Sequence, residues 1–219
     1  MILYGMRPSP YVRKALFFAA EKGIEVEVKG AGFGRGGDAF AAASPFGKMP
    51  ALVDGDFGIS DSSAIIHYWE ALRPEPNMIP TDPKARARTI WFEEFADTIL
   101  FETGRKMFFN RIVAPKFMKI EGDMAAADAA ERDELPQSLA YLENVIPDSG
   151  FLVEDRMTLA DVAVASPLIN LAYCSTAMEA YPRICQWIGD IKKRPTIAAV
   201  LEDERPMIEG MAERPEAVI

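Results

Sequence analysis

The first third of the chain alternates short apolar stretches with amphipathic ones. Residues 2–4 predict a buried strand, residues 11–23 a helix with one apolar face, and residues 24–29 a half-exposed strand. A strand, a helix and a second strand favour a parallel pair joined by a right-handed crossover. A short helix is predicted over residues 38–43, after which the periodicity changes again.

Residues 44–63 predict a hairpin that leads into a helix. Pro50 opens an apolar run, a tight turn follows, and the return strand alternates apolar and polar residues before Asp61 and Ser62. A cis bond before Pro50 would turn the backbone N–H and C=O of Met49 outward, where a ligand could pair with them. The same pattern is also that of an ordinary hairpin ending in a capped helix.

The proline-rich stretch after residue 72 predicts a boundary between two domains. The predicted division is a first domain over 1–74, a linker over 75–83 and a helical domain over 84–219. Pro115 is expected to break or kink the end of the first long helix, whereas Pro136 either kinks the second or marks its start. The predicted helices from the hairpin onward are 61–72, 84–110, 125–146, 159–173, 181–194 and 196–204.

Thr158 and Asp161 have the spacing of a capping box, in which each side chain accepts a hydrogen bond from the other residue's backbone N–H. The helix that follows is almost wholly apolar and is predicted to be the buried centre of a bundle. The order of elements therefore predicts an α/β thioredoxin-like N-terminal domain followed by an all-α helical-bundle C-terminal domain.

Composition narrows the classes of function. The chain has 219 residues and a formal net charge of −9, which disfavours contacts with nucleic-acid phosphates or anionic membranes. Cys174 and Cys185 lie in apolar surroundings and are predicted to be buried free thiols. The single histidine, His67, is predicted to lie in the core or in an interface, and no metal site is expected. Neither a signal pattern nor a membrane-length apolar run is found, so a cytoplasmic location is expected.

Residues 30–37 are rich in glycine and contain a GxGxxG match that starts at Gly32. The match follows a strand, but neither a Gly-Lys-Ser/Thr motif nor a strong helix comes after it. A flexible loop is therefore favoured, and a nucleotide-binding cradle stays open as the alternative.

Ser9 precedes a proline at the first position of the predicted helix and is expected to cap that helix. Arg13 lies one helical turn further on. Two interpretations of Arg13 remain open: an ion pair on the surface, or a residue of the site that adds positive charge to it.

Four short pieces of the chain, taken in order, resemble the glutathione transferase superfamily over essentially the whole length. They are residues 9–14, 45–52, 59–65 and 159–161. The resemblance implies that Ser9 faces the glutathione sulfur, as in serine-type members. A Ser9 hydroxyl that donates a hydrogen bond to the sulfur would stabilise the thiolate, and the N-terminus of the following helix would add partial positive charge.

The same resemblance implies the rest of a glutathione site. Met49, before the expected cis Pro50, would pair through its backbone with the cysteinyl part of glutathione. Asp61 and Ser62 match a pair that holds the γ-glutamyl group, although the family more often has Glu, which is one methylene longer. Lys48 is similar in position to residues that meet the glycyl carboxylate, with a solvated loop cation as the alternative.

A pocket for an electrophile is expected between the two domains. Aromatic residues at helical spacing are also typical of a packed core, so the sequence leaves both interpretations open. The candidate lining residues are Met6, Arg7, Tyr11, Phe101, Arg105, Phe108 and Phe109.

The resemblance as a whole implies a homodimeric glutathione transferase that uses glutathione as cosubstrate and needs no metal. It would conjugate the glutathione thiolate to a hydrophobic electrophile. The alternatives are a binding or scaffold protein that keeps the fold without turnover, and a glutathione-dependent lyase, isomerase or dehalogenase.

Overall fold

In the computed structural model, which describes residues 1–209, a four-stranded mixed sheet with helices packed on it precedes a bundle of helices. This arrangement confirms the predicted thioredoxin-like domain followed by an all-α domain. The last ten residues of the predicted helical domain, 210–219, lie outside the described residues.

The sheet has the strand order β2-β1-β3-β4. The β1 and β2 strands are parallel, as the strand–helix–strand pattern predicts, and the β1–β3 and β3–β4 pairs are antiparallel. The second strand is shorter than predicted, because the three residues before it do not pair with β1. The strands are β1 Ile2–Tyr4, β2 Glu27–Lys29, β3 Ala51–Asp54 and β4 Phe57–Ser60.

Three helices accompany the sheet: α1 Pro10–Glu21, α2 Gly37–Ala43 and α3 Ser62–Leu72. Proline at the start of α1 suits a position whose N–H would have no helical partner. Its inner face buries Val12, Leu16 and neighbouring aromatic residues against the rest of the core. The first turn of α1 therefore stands at the edge of the sheet, facing the helical part of the chain.

The helical part begins after a connection over residues 73–82. The helix that starts at Pro83 changes twice into a wider π-helical turn, over Phe95–Leu100 and over Phe109–Met118. A further π-helical turn, Ala130–Glu134, joins α6 to α7. The α-helical segments are α4 Pro83–Glu94, α5 Phe101–Phe108, α6 Met124–Ala129, α7 Leu135–Val145, α8 Leu159–Tyr173, α9 Pro182–Lys192 and α10 Pro195–Glu209.

Of the two outcomes predicted at Pro115, a break or a kink, the break is wrong. Pro115 lies inside the second π-helical turn, and the helix continues to Met118, where Lys119 ends it in a left-handed conformation. Because hydrogen bonding is already irregular in a π-helical turn, the missing N–H of proline is accommodated there. Pro136 stands in the first turn of α7, which agrees with its prediction as a helix start.

The predicted capping box is confirmed at the start of α8. The Thr158 N–H donates to Asp161 at 2.9 Å, and the reciprocal bond to the Thr158 side chain is present. Almost every residue of α8 is buried, so this helix is the centre of the bundle. Within residues 1–209, no helix is both long and apolar enough to cross a membrane.

Two predictions about single residues are wrong in part. Cys174 is buried, as predicted, but Cys185 is exposed on α9. The residues next to Cys185 in the sequence are apolar, but they do not determine which side of α9 faces the core. His67 is likewise exposed on α3, so it does not lie in the core.

Candidate active site

Ser9 stands at the N-terminus of α1 with an extended backbone, in the position of a helix cap. Its carbonyl accepts the hydrogen bond of the Arg13 N–H at 2.9 Å, while its side chain makes no capping bond. The predicted capping role of the hydroxyl is therefore wrong. This hydroxyl is left available at the positive end of a helix dipole.

Arg13 is neither a surface ion pair nor a residue that faces the site. Its side chain is fully buried, and the guanidinium pairs with both carboxylate oxygens of Glu204 in α10. One of its nitrogens also donates to Asn170 at 2.5 Å and to the Ser166 carbonyl at 2.7 Å. Since the Glu204 carboxylate neutralises the guanidinium, Arg13 adds little positive field at Ser9.

Asn170 connects this buried cluster to the loop that carries Ser9. Its side-chain amide donates to the Pro8 carbonyl at 3.1 Å, and the Ser9 N–H donates to the Met6 carbonyl at 2.9 Å. The backbone on the N-terminal side of Ser9 is thus fixed at two carbonyl groups. A fixed backbone at this point limits the directions in which the Ser9 hydroxyl can point.

The Met49-Pro50 peptide bond is cis. The Pro50 carbonyl accepts the Asp61 N–H at 3.3 Å, which places the end of the hairpin beside the residue that opens β3. Met49 is half-buried, and its side chain lies against Gly32, where a β-carbon would come within 2.7 Å of the methionine methyl group. The structure therefore brings Met49, Pro50 and Asp61 together.

Asp61 caps α3. One of its carboxylate oxygens accepts the N–H groups of Ser63 and Ala64 at 2.9 and 3.1 Å. Its φ of 87° lies in a backbone region that non-glycine residues rarely adopt, and such outliers concentrate at functional sites. Ser62 is buried at the first position of the helix, and neither its N–H nor its hydroxyl is used by the Asp61 cap. An anion could bind these Ser62 groups.

Lys48 is exposed on the loop before Met49, and its carbonyl accepts a hydrogen bond from the Ser44 hydroxyl at 2.6 Å. Its ammonium is therefore solvated next to the Met49 backbone. Both predicted interpretations, a loop cation and a ligand contact, agree with this position.

A cluster of charged side chains lies beneath the start of α3. The buried ammonium of Lys14 contacts Ser63 Oγ at 3.2 Å, Glu93 at 3.0 Å and Asp97 at 2.5 Å. Burial, together with the negative charges of Glu93 and Asp61, raises the pKa of Asp97 to about 6, although Lys14 opposes the shift. Residue 63 directly follows Ser62, so this cluster supports the γ-glutamyl end of the predicted site.

An apolar cavity of about 230 Å³ opens between the sheet domain and the helical part of the chain. Ser9 and Met49 lie on its wall, together with Met6, Tyr11, Phe101, Arg105, Phe108 and Phe109 from the predicted pocket. Arg7 does not line the cavity, because its guanidinium pairs with Asp203 of α10 at 3.2 Å.

Tyr11 joins the cavity wall to the first π-helical turn. Its hydroxyl donates to the Asp97 carbonyl at 2.8 Å, and its ring contacts Phe101 with 4.6 Å between centroids. Burial and the charge of Asp97 raise the pKa of the Tyr11 hydroxyl further above its ordinary value. Tyr11 therefore stays protonated and cannot act as a base.

The prediction missed several residues of the cavity wall. They are Gly104, Val113, Phe117, Pro167 and Asn170 from the helical part, Phe33 from the glycine-rich loop, and Pro8 and Pro10 on either side of Ser9. Residues 101, 105, 109, 113 and 117 recur at every fourth position, a period that suits a helix with π-helical turns. The same spacing indicates Val113 and Phe117 as wall residues. The predicted helix ends at residue 110, however, so the prediction does not extend the pattern to them.

Among the described residues, no group of three or more His, Cys, Asp or Glu side chains could hold a metal ion. Of the polar groups in the predicted site, Ser9 and Met49 lie on the cavity wall, whereas Lys48, Asp61 and Ser62 do not line the cavity. Beside the cavity, the polar groups are a hydroxyl, backbone amides and a capped helix start. This set suits a peptide-like ligand with a carboxylate and an ammonium.

Comparisons with known proteins agree with this geometry. The family profile described as "Glutathione S-transferase, N-terminal domain" matches residues 3–77, and the corresponding "C-terminal domain" profile matches residues 105–204. A glutathione S-transferase of Hyoscyamus muticus is 27% identical over 92% of this chain and 98% of its own length. Glutathione S-transferase theta-1 of Rattus norvegicus is 30% identical over 68% of this chain and 63% of its own length.

Solved structures show the same architecture. A glutathione S-transferase from Rhodospirillum rubrum F11 is 25% identical, with a TM-score of 0.81 and coverage of 91% of both chains. FzlA from C. crescentus is 22% identical with a TM-score of 0.87, covering 99% of this chain and 97% of its own, and shows the fold alone. From the two family profiles and these relatives together, the chain belongs to the glutathione S-transferase superfamily and is a transferase.

Proposed function

We propose that this chain binds glutathione and transfers its thiolate to an apolar electrophile, with Ser9 as the catalytic residue. The observation that carries the proposal is the Ser9 hydroxyl. It makes no capping bond, and it stands at the N-terminus of α1 on the wall of an aromatic cavity. A thiol has a pKa near 8.5, so a site that favours the anion is needed at neutral pH.

The Ser9 hydroxyl donates a hydrogen bond to the glutathione sulfur and so stabilises the thiolate. The thiol proton leaves to solvent, because the neutral serine hydroxyl is too weak a base to accept it. The thiolate then forms a sulfur–carbon bond with the electrophile, and the leaving group departs with its electron pair. The helix dipole of α1 acts in the same direction as the hydroxyl.

The rest of glutathione extends along the hairpin towards α3. The Met49 backbone pairs with the cysteinyl part, beside the cis bond to Pro50. The Ser62 N–H and hydroxyl bind the γ-glutamyl carboxylate, and the carboxylate oxygen of Asp61 that is not used in capping attracts the ammonium. Lys48, exposed next to Met49, meets the glycyl carboxylate.

The electrophile occupies the apolar cavity beside Ser9. Its walls come from Met6 and Tyr11 on one side and from Phe101, Arg105 and Phe108 on the other. A lyase, isomerase or dehalogenase would use the same thiolate, and a panel of electrophiles run with glutathione separates these reactions. A homodimer in the cytoplasm is part of the proposal, on the strength of family membership.

The first test is calorimetric titration with glutathione, for which we expect a dissociation constant of about 1 mM or tighter. If no heat of binding is detected at millimolar glutathione, the protein is a scaffold and the proposed function is wrong.

The second test replaces Ser9 by alanine. Loss of one preorganised donor to a developing anion lowers kcat by about 100-fold or more, so Ser9→Ala should lower kcat for an aryl halide by that factor. The KM for glutathione should change by less than about twofold, because the backbone and γ-glutamyl contacts remain. The ultraviolet absorbance of bound thiolate should show a raised thiol pKa.

The matched control is Ser149→Ala, which removes a hydroxyl from an exposed turn far along the chain. We expect the control to keep full activity. Equal kcat values for Ser9→Ala and the unmodified protein would remove Ser9 from the mechanism.

A further inference from the structure

The glycine-rich loop contributes an aromatic residue to the cavity. Gly32 and Arg35 exchange two backbone hydrogen bonds, at 3.0 and 3.1 Å, and thereby close a tight turn. The two central residues, Phe33 and Gly34, have φ values of 52° and 80°, as in a type I′ turn. The sequence pattern favoured a flexible loop, whereas the structure shows a defined turn with Phe33 at its tip.

The backbone of Phe33 is unusual for such a large residue. Glycine and asparagine occupy the left-handed region readily, whereas a bulky side chain there is an outlier that the surroundings must impose. Phe33 is also 52% exposed, so its burial in the core does not explain the conformation. Outliers of this kind concentrate at functional sites.

The Phe33 side chain faces the helical part of the protein. Its ring lies 5.6 Å from the ring of Phe117, centroid to centroid, and both residues line the cavity. Arg35, which belongs to the same turn as Phe33, places its guanidinium 5.9 Å from the centroid of the Phe117 ring. The turn and the second π-helical segment therefore meet at the cavity wall.

The position of the turn is fixed by the residue that is proposed to hold glutathione. Gly32 packs so closely on the Met49 side chain that a β-carbon there would lie 2.7 Å from the methionine methyl group. The turn is thus held between Met49 on one side and Phe117 on the other. The Phe33 ring is therefore held as part of the cavity wall, where a ligand that fills the cavity contacts it.

We propose that Phe33 is a specificity-determining residue for the second substrate, forming with Phe117 an aromatic wall against which a flat aromatic electrophile stacks. This inference rests on the proposed function and adds the residue that selects the electrophile. Aromatic rings prefer offset-stacked or edge-to-face arrangements at centroid separations of about 4.5–7 Å, so a planar ring of the electrophile can pack against this wall in the same way.

The test compares Phe33→Ala, Phe33→Tyr and Phe117→Ala in steady-state kinetics with glutathione and chlorodinitrobenzene. Phe33→Ala should raise KM for chlorodinitrobenzene by about 3- to 10-fold, the ratio that corresponds to one aromatic contact. The kcat and the KM for glutathione should stay within about twofold, because Ser9 and the glutathione contacts are intact. Phe33→Tyr keeps the ring and should restore the KM.

The matched control is Phe46→Ala. Phe46 is 88% exposed on the loop before Met49 and does not line the cavity, so its removal should leave both KM values unchanged. The double variant Phe33→Ala/Phe117→Ala should raise KM by less than the product of the two single effects, because both rings form one wall.

Binding of the fluorescent dye anilinonaphthalenesulfonate provides a readout that does not need turnover. Phe33→Ala should weaken dye binding by a similar factor of about 3 to 10, and Phe46→Ala should leave it unchanged. If the protein binds no glutathione, the proposed function fails while the dye still measures the aromatic wall. If glutathione binds but Phe33→Ala changes neither the dye affinity nor the KM for the aryl halide, the inference about Phe33 is wrong.

Discussion

Arg13 and Lys14 are neighbours in α1, and both place a buried cation between the sheet and the helical part of the protein. Their surroundings differ in charge and in access to water. The Arg13 cluster holds one cation and one carboxylate, Glu204, and both side chains are fully buried. The Lys14 cluster holds one cation and two carboxylates, and the side chain of Asp97 is 20% exposed.

The Arg13 cluster is closed, in the sense that its cation and its carboxylate are both fully buried and pair with each other. Glu204 receives hydrogen bonds from the guanidinium and from the Tyr173 hydroxyl, the latter at 2.6 Å. Burial raises the pKa of Tyr173 further above its ordinary value, so that hydroxyl remains a donor. Through Asn170, this cluster holds the loop before Ser9.

The Lys14 cluster is open and carries a net negative charge. Its carboxylates lie close to each other and to Asp61, and burial raises the pKa of Asp97 to about 6. Two adjacent cations in one helix can therefore have different effects on the site. The Arg13 cluster holds the sulfur end of the proposed site in place, and the Lys14 cluster makes the γ-glutamyl end respond to pH through Asp97.

The largest expected effect is on the closed cluster. Glu204→Gln leaves the Arg13 guanidinium buried without a charge partner, and breaking such a pair costs about 3–5 kcal/mol. Unfolding in urea should show a loss of this size. The matched control is Glu202→Gln, two residues earlier in α10, where the pair with Arg205 is exposed. Exposed ion pairs contribute about 0–1 kcal/mol to the free energy of unfolding. Equal losses of stability in both variants would therefore show that the Arg13–Glu204 pair is not a buried one.

The next effect concerns Asp97 and depends on pH. Because its folded pKa of about 6 exceeds the ordinary value of 3.8, the folded chain binds the proton more tightly than the unfolded chain does. The stability that protonated Asp97 contributes is therefore fully present below about pH 4 and is lost as pH rises through about 6. A pKa shift of this size changes the free energy of unfolding by at most about 3 kcal/mol.

Asp97→Asn mimics the protonated form and removes this dependence. The free energy of unfolding of the variant, relative to the parent, should rise by about 2–3 kcal/mol between pH 4 and pH 7. Asp190→Asn, which changes an exposed carboxylate paired with Lys193, should show no such rise. A difference between Asp97→Asn and the parent that stays constant with pH would mean that folding does not raise the pKa of Asp97.

The smallest expected effect tests the link from Arg13 to Ser9. Asn170→Ala removes the amide that donates a hydrogen bond to the Pro8 carbonyl. The free energy of unfolding should fall by about 1–2 kcal/mol. The positioning role predicts a further result: kcat should fall by about 3- to 10-fold, since a loosened Ser9 hydroxyl is less often aligned with sulfur. The KM for glutathione should not change.

The control for this variant is Asn144→Ala, which removes an exposed side chain whose amide donates to the Ala140 carbonyl of its own helix at 2.8 Å. Asn170→Ala with lowered stability but full kcat would show that Asn170 is structural only.

Much of the fold could be predicted from local patterns. The capping box at Thr158 and the cap at Asp61 join groups two or three residues apart, so their spacing in sequence determines the contact. The parallel pair of strands follows from the strand–helix–strand order, because a crossover helix lets the chain re-enter the sheet in the same direction. Such features depend on short-range geometry, which the sequence displays directly.

The parts that could not be predicted depend on contacts between distant residues. Arg13 and Glu204 are 191 positions apart, so the sequence shows two charges without showing that they meet. Arg7 was placed in the pocket for its position in the first loop, whereas a partner in α10 turns it away. Phe33 lies in a glycine-rich stretch whose defined turn depends on packing against Met49 and Phe117.

The two cations of α1 also determine how the protein can come apart. Arg13 and Lys14 find their carboxylate partners in α4, α10 and the first π-helical turn, all beyond the linker. If the helical part unfolded first, Arg13 and Lys14 would lose these partners and become unpaired cations. We therefore expect the sheet and the helical part to unfold together in one cooperative transition.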